Sequence, residues 1–176
     1  MVSIFNEVKK TVTIPVSVKL GDHFTNIGNL AFRLSMAGAA GLVLFNRFYN
    51  PTIDIENMKV VPGSALSVEE ENGSTLRWIS LLAAQGIPCS LSASTGVHSA
   101  EDVVRQILAG ASSVQVCSVL YKKGIDFVAN MLEGMEKWMQ KHNFNSISDF
   151  KGKCSASADV KVFERLQYLR RNNDLV

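Results

Sequence analysis

The pattern of hydrophobic and polar residues repeats itself once along the chain. A run that begins Ile-Pro, and an Ala-Gly-Ala segment after it, both recur further on. A run of β-favouring residues follows each Ala-Gly-Ala segment, so each copy predicts a strand, a helix and a second strand. The paired segments are 14–17 with 87–90, 37–39 with 109–111, and 41–46 with 113–118.

The residues between the strands have the spacing of helices with one apolar face. Gly38 and Gly110 follow these segments, where a residue without Cβ can end a helix in the left-handed conformation. Strands that alternate with crossover helices pair in parallel, so we predict four parallel strands. The apolar positions recur at i, i+3, i+4 and i+7, or close to it, and are Ile27, Leu30, Ala31 and Leu34, then Val103, Val104, Ile107 and Leu108.

The length decides how much of a barrel these strands can form. The chain has 176 residues, of which 47% are hydrophobic and 19% charged, whereas a complete (β/α)8 barrel needs about 250 residues. We therefore predict an α/β fold that is half of a TIM barrel, over residues 1–142. Residues 143–176 are expected to form a tail with a short amphipathic helix at Val162–Leu169.

An insert at 47–73 interrupts the repeat and has no helical period. Ile53–Ile55 and Met58–Val61 are expected to pair as a small hairpin. Because the insert follows a strand end, where barrel active sites lie, it is interpreted as a lid over a ligand. A plain excursion and an oligomer contact are the alternatives. A later helix, Ile125–His142, has an apolar stripe typical of core packing.

Charge and cysteine content narrow the class of protein. The formal charge is +2 and the basic residues are scattered, so no nucleic-acid partner is expected. No apolar run reaches a membrane span's length, and the first residues do not resemble a signal peptide. Cys89, Cys117 and Cys154 lie far apart, which favours reduced thiols in the cytoplasm over disulfides. No metal site is expected.

Candidate chemistry begins with Lys19, at the carboxyl end of the first strand. Alternation places it with Pro15 and Ser17, on the face opposite the apolar residues. It is interpreted as a lysine that reaches solvent, a cation that holds an anionic ligand, or a Schiff-base amine. Asn46 ends the second strand, where its amide could bind the edge of a heterocycle or cap a turn.

Two further strand ends carry loops of small residues. Ser94, Thr95 and Gly96 precede a helix start at Ser99-x-x-Asp102, and the fourth strand ends in Cys117-Ser118. Unpaired N–H groups at such helix starts bind phosphate, so the pair of loops predicts a phosphate cradle. Two well-capped helices without a ligand are the alternative. Cys117 is interpreted as a packed thiol.

Several of these segments together resemble the dihydroorotate dehydrogenase family, more narrowly its dihydroorotate dehydrogenase-like branch. The resemblance extends from Ile4 to about Gly152. It is carried by Pro15-Val16-Ser17-Val18-Lys19-Leu20, Gly41-Leu42-Val43-Leu44-Phe45-Asn46-Arg47-Phe48-Tyr49, Leu76-Arg77-Trp78-Ile79, Ser94-Thr95-Gly96-Val97-His98 and Val114-Gln115-Val116-Cys117-Ser118.

The resemblance implies strands five to eight of a barrel that holds FMN, hence its C-terminal half. It implies that Lys19 contacts the flavin ring, that Asn46 lies near the ring or substrate, and that the loops at Ser94–Gly96 and Cys117–Ser118 hold the FMN phosphate. The family oxidises dihydroorotate to orotate in pyrimidine synthesis. Its catalytic base comes from the other half of the barrel, so no residue here is assigned that role.

The leading hypothesis is therefore the FMN-binding C-terminal half of a flavin oxidoreductase, inactive alone. A non-catalytic binding or assembly module and a Schiff-base aldolase that uses Lys19 are the alternatives. Four strands of a barrel leave two open edges and an inner face. We expect that face to include apolar residues and to be covered by a second copy, or by a complementary N-terminal half.

Overall fold

The computed structural model describes residues 1–155. This part of the chain contains six strands and six α-helices. The strands are β1 (Ser17–Leu20), β2 (Gly41–Leu44), β3 (Pro51–Asp54), β4 (Lys59–Pro62), β5 (Ser90–Ala93) and β6 (Ser113–Val114). The helices are α1 (Val2–Thr11), α2 (Ile27–Met36), α3 (Asn72–Ala84), α4 (Ala100–Ala109), α5 (Ser118–Lys123) and α6 (Phe127–Lys141). The predicted helix at Val162–Leu169 lies outside the described residues.

Four strands form one parallel sheet in the order β1-β2-β5-β6. The spatial order follows the chain order once the β3–β4 hairpin is left out. Helices connect successive strands, as parallel pairing requires. The prediction of an α/β fold that is part of a TIM barrel is confirmed.

The helix ends show why these segments begin and stop where they do. At the start of α4, Ser99 Oγ accepts from the Asp102 N–H at 3.2 Å, and the Asp102 carboxylate accepts from the Ser99 N–H at 3.1 Å. This reciprocal pair satisfies two N–H groups that have no partner within the helix. The helix ends at Gly110, where φ is 119°. Both ends agree with the sequence expectation.

The two faces of the sheet differ sharply in polarity. The outer face packs on the helices through buried aliphatic residues, which include Leu20, Leu42, Leu44, Leu91 and Ala93. The strand registers place small and polar residues together on the inner face: Ser17, Lys19, Gly41, Ser90, Ser92 and Ser113, with Val43 among them. The inner face of the described strands is therefore more polar than expected, because serine and glycine occupy most of its positions.

The insert contains the expected hairpin but ends earlier than predicted. Strands β3 and β4 pair antiparallel, with Ile53 opposite Val60. A 3-10 turn at Glu69–Glu71 leads directly into α3, which begins at Asn72 rather than after Gly73. The first turn of α3 is polar, so apolar periodicity does not reveal where the helix begins.

The first part of the predicted tail is integrated into the body of the fold. Phe150 is fully buried, with its ring centroid 5.1 Å from that of Trp138. The Gly152 N–H donates to the Ile107 carbonyl at 2.9 Å, and the Cys154 N–H donates to the Leu108 carbonyl at the same distance. Within residues 1–155, each helix is too short or too polar to cross a membrane.

Candidate binding site at the carboxyl ends of the strands

A cavity of about 230 Å³ lies at the carboxyl ends of the parallel strands. Every residue proposed from the sequence lines it: Lys19, Asn46, Ser94, Thr95, Gly96, Cys117 and Ser118. They come from the ends of all four strands of the sheet. The structure thus brings Lys19 to the same end of the sheet as the other residues.

Hydrogen bonds beyond the strand ends hold the cavity floor in place. The Asn46 N–H donates to the Leu20 carbonyl at 2.6 Å. Backbone hydrogen bonds also join the ends of β2 and β5. The Phe45 N–H donates to the Ser94 carbonyl at 3.2 Å, and the Ser94 N–H donates to the Leu44 carbonyl at 2.6 Å. These bonds fix the backbone from which Asn46 and Thr95 leave the sheet.

The Ser94–Gly96 turn depends on a left-handed backbone. Thr95 has φ of 86° and Gly96 has φ of 74°. A Cβ at Gly96 would lie 2.8 Å from the Asn72 Cα and from the Glu71 carbonyl carbon, so glycine is required here by both conformation and space. Thr95 Oγ1 donates to the Phe45 carbonyl at 3.1 Å, which holds the turn against the end of β2.

Ser67 lies near the end of the insert and forms the opposite wall of the cavity, where its N–H, carbonyl and hydroxyl groups all make hydrogen bonds. Its N–H donates to Ser118 Oγ at 2.8 Å, and its carbonyl accepts from Lys122 Nζ at 2.9 Å. Its hydroxyl lies 3.2 Å from His98 Nε2 and accepts from the Gly96 N–H at 3.4 Å. Sequence reasoning missed Ser67, since its partners are far away in the chain and its own neighbourhood has no periodic pattern.

Arg47 fixes the base of the insert and was also missed as a site residue. Its Nε donates to both carboxylate oxygens of Glu71, at 3.0 and 3.1 Å. Its Nη1 donates to the Ser64 carbonyl at 2.8 Å. A second cavity of about 170 Å³ lies on the other side of Arg47 and shares Asn46 and Thr95 with the first. A basic residue directly after Asn46 was the available sequence signal.

The charges around the main cavity favour an anionic ligand. Lys19 and Arg47 line the cavity, and no carboxylate of the described residues does. The Arg47 charge is paired with Glu71, so Lys19 supplies most of the positive charge. Lys122 lies just behind Ser67. The first turn of α5 begins at Ser118 without a side-chain cap from Cys117. Cations, a left-handed glycine turn and an uncapped helix start together suit a phosphate group.

Asp102 supports the cavity wall from beneath. Burial raises the pKa of its carboxyl, but hydrogen bonds outweigh that effect and hold the pKa below its usual value. The donors are the His98 N–H, at 3.0 Å, and groups of Ser99, Asn72 and Arg105. The carboxylate thereby ties the segment that carries His98 to the start of α4.

Other site chemistries have little support among the described residues. All three cysteines are free thiols, and Cys117 is exposed at the cavity. Within residues 1–155, no group of three His, Cys, Asp or Glu side chains is arranged to hold a metal ion. Lys19 is exposed, whereas a Schiff-base lysine is normally activated by burial or by a neighbouring cation.

Comparison with known proteins agrees with this geometry. The sequence model described as "Dihydroorotate dehydrogenase" matches residues 2–139. The "Putative dihydroorotate dehydrogenase A (fumarate)" of Aeropyrum pernix is 30% identical over 154 residues, which are 85% of this chain and 49% of that protein. The "Dihydroorotate dehydrogenase B (NAD(+)), catalytic subunit" of Pelobacter propionicus is 31% identical over 143 residues, 78% of this chain and 46% of that protein. The chain thus spans about half the length of these relatives.

Proposed function

The chain belongs to the dihydroorotate dehydrogenase family, and we propose that it is the C-terminal, FMN-binding half of a flavin oxidoreductase. The observation that carries this proposal is that one cavity is lined by residues from the ends of all four parallel strands. Barrel enzymes assemble their active sites at this end. We further propose that the protein works in the cytoplasm, where its free thiols would stay reduced.

In this proposal the FMN phosphate binds between the Ser94–Gly96 turn and Ser118. The left-handed turn brings backbone close to the ligand without a side chain at Gly96. Lys19 supplies positive charge near the flavin ring, and Asn46 offers an amide to the ring or the substrate. Bound FMN would supply a hydride acceptor, and Lys19, Asn46 and the Ser94–Gly96 turn would hold and orient the cofactor.

The reaction proposed for the complete protein is oxidation of dihydroorotate to orotate, in pyrimidine synthesis. We propose that this chain is inactive alone, since no residue that lines the cavity is assigned as the catalytic base. A complementary N-terminal half would pair with the open edges at β1 and β6 and complete the site. No observation favours the aldolase alternative or a non-catalytic module over a flavin site.

Titration with FMN and with riboflavin tests the proposal, because the two ligands differ only in the phosphate. We expect FMN to bind at least ten times more tightly, a difference of about 1.4 kcal/mol, measured by quenching of flavin fluorescence. Lys19→Ala should weaken FMN binding about five- to thirty-fold. Lys137→Ala removes an exposed lysine on α6, which pairs with Glu133, and is the matched control.

Equal affinity for the two ligands would contradict the phosphate cradle. If Lys19→Ala and Lys137→Ala weaken FMN binding equally, Lys19 contributes only through the overall charge of the protein and does not contact the ligand. Borohydride trapping of a carbonyl substrate on Lys19 would favour the aldolase alternative instead.

A further inference from the structure

The proposed phosphate position needs a cation that the cavity lining does not supply. The Ser94–Gly96 turn and Ser118 follow β5 and β6, whereas Lys19 ends β1, at the opposite edge of the sheet. Neighbouring strands lie about 4.8 Å apart, so the backbone of Lys19 is roughly 10–14 Å from that position. Lys19 is therefore placed for the flavin ring, and another group must balance the charge of the phosphate.

Arg47, the other cation of the lining, is already engaged. Its Nε donates to both carboxylate oxygens of Glu71, at 3.0 and 3.1 Å. Its Nη1 donates to the Ser64 carbonyl at 2.8 Å and to the Ala65 carbonyl at 3.3 Å. These bonds neutralise the guanidinium and hold it at the base of the insert, so Arg47 is not free to pair with a phosphate.

Lys122 lies on the cavity wall beside the proposed phosphate position. Its Nζ donates to the Ser67 carbonyl at 2.9 Å, and the Ser67 N–H donates to Ser118 Oγ at 2.8 Å. Ser118 and Lys122 are one turn apart on α5, and side chains on a helix lean toward its amino end. The ammonium group therefore extends toward the end of α5 at which Ser118 lines the cavity.

The charge of Lys122 has no counter-ion within residues 1–155. Among these residues its Nζ forms no ion pair with a carboxylate, and the acceptor that it contacts is the neutral Ser67 carbonyl. The adjacent Lys123 differs, because its Nζ lies 4.3 Å from the centroid of the Phe127 ring, at the start of α6. An uncompensated cation next to a cavity without carboxylates favours an anion in that cavity.

We propose that Lys122 is the counter-cation of the bound phosphate and sets the preference for a phosphorylated flavin. This inference rests on the proposed function and adds to it a residue outside the cavity lining. A phosphate monoester carries about 1.5 to 2 negative charges at neutral pH, and a cation held beside it attracts it through the screening of the solvent. Lys122 is exposed, so we expect a moderate effect rather than a complete loss of binding.

The experiment measures the dissociation constants of FMN and riboflavin, by quenching of flavin fluorescence, for the full chain and three variants. Lys122→Gln keeps an N–H donor for the Ser67 carbonyl but removes the charge. We expect it to lower the ratio of the riboflavin constant to the FMN constant about five-fold, the upper range for an exposed pair of charges, with riboflavin binding unchanged. Lys122→Arg keeps the charge and should stay within about two-fold of the native ratio. Lys123→Ala is the matched control, since it removes an equal charge from the adjacent position, and should change the ratio less than about two-fold.

The results separate a failure of this inference from a failure of the proposed function. If the native chain binds neither flavin, or binds the two equally, the proposed function fails and this inference with it. If the native chain prefers FMN and Lys122→Gln keeps that preference, this inference alone is overturned. Equal weakening of both flavins by Lys122→Gln also overturns it, because the lysine would then only hold the wall in place.

The salt dependence gives a second measurement of the same charge. Raising the NaCl concentration from about 50 to 500 mM should lower the native ratio, since salt screens the attraction between Lys122 and the phosphate. The ratio for Lys122→Gln should change less. An equal salt effect in the two proteins would overturn the inference.

Discussion

The insert between β2 and α3 has two parts, and each contains residues whose environment is the reverse of what their polarity suggests. Among the polar residues of 64–71, Ser67 is buried with four hydrogen-bond partners. The hairpin at 51–62 presents an apolar face to solvent. Ser67 finds its partners within the chain, whereas the apolar face of the hairpin is not covered by any of residues 1–155.

The difference teaches where each kind of contact is useful. Buried polar groups are costly unless each is paired, so they select one arrangement of the chain and fix the cavity wall in place. Apolar groups make no such geometric demand and gain free energy from any cover that excludes water. Polar contacts therefore position the site, and the apolar face remains available for association.

The largest effect is expected from Gly96→Ala, which would disrupt the close contact between the Ser94–Gly96 turn and the start of α3. The new Cβ would need a left-handed backbone and would collide with the Asn72 and Glu71 backbone. We expect a loss of about 3–5 kcal/mol in the free energy of unfolding, measured by urea denaturation. Gly73→Ala is the matched control, because a Cβ there meets nothing within 4 Å.

The control should leave stability within about 1 kcal/mol of the native value, or raise it slightly, since alanine reduces the entropy of the unfolded chain. If both glycine substitutions have equal effects, the close contact between the Ser94–Gly96 turn and α3 does not limit stability.

His98→Ala should loosen the polar part without affecting the hairpin. It removes the buried partner of the Ser67 hydroxyl, and we expect a loss of about 2–3 kcal/mol in stability. Hydrogen exchange should show faster exchange of the Ser67 and Val68 amides, with no change at 51–62. His98→Gln keeps a side-chain amide within reach of Ser67 and should restore part of the protection. Failure of glutamine to restore any protection would indicate that packing, not the hydrogen bond, holds Ser67.

These contrasts mark the limit of what the sequence alone could predict. The repeat predicted four parallel strands, and the carboxyl ends of such strands meet at one edge, so Lys19, Asn46 and Ser118 could be grouped in advance. The cap at Ser99 and Asp102 was also readable, because its partners lie within one helical turn. Ser67 was not, because its contacts with Ser118 and Lys122 bridge distant parts of the chain and no local pattern records them.

The hairpin was predicted as an element, but its surroundings were not. The segments Ile53–Ile55 and Met58–Val61 were predicted only to pair with each other. Whether that face is covered depends on where the insert leaves β2 and which elements lie near it. Those are properties of the packed fold.

Acid should destabilise the polar wall of the cavity through Asp102, at the start of α4, and leave the hairpin unchanged. Its pKa is lowered in the folded state, so its stabilising contribution is complete above the unfolded value of about 3.9 and is lost as pH falls through the folded pKa. We expect the stability of the native chain to fall as the pH drops below 4. Asp102→Asn should lose this part of the pH dependence, measured by denaturation between pH 3 and 7.

The smallest effect is expected from Ile53→Ser. A buried aliphatic residue such as Leu42 would cost about 2–5 kcal/mol on truncation to alanine, because its contacts are lost and a cavity remains. Ile53 is 66% exposed, so its replacement by serine should change the free energy of unfolding by less than about 0.5 kcal/mol, measured by urea denaturation. A large loss would show that the hairpin face packs within its own chain, and the contrast between the two parts of the insert would then fail.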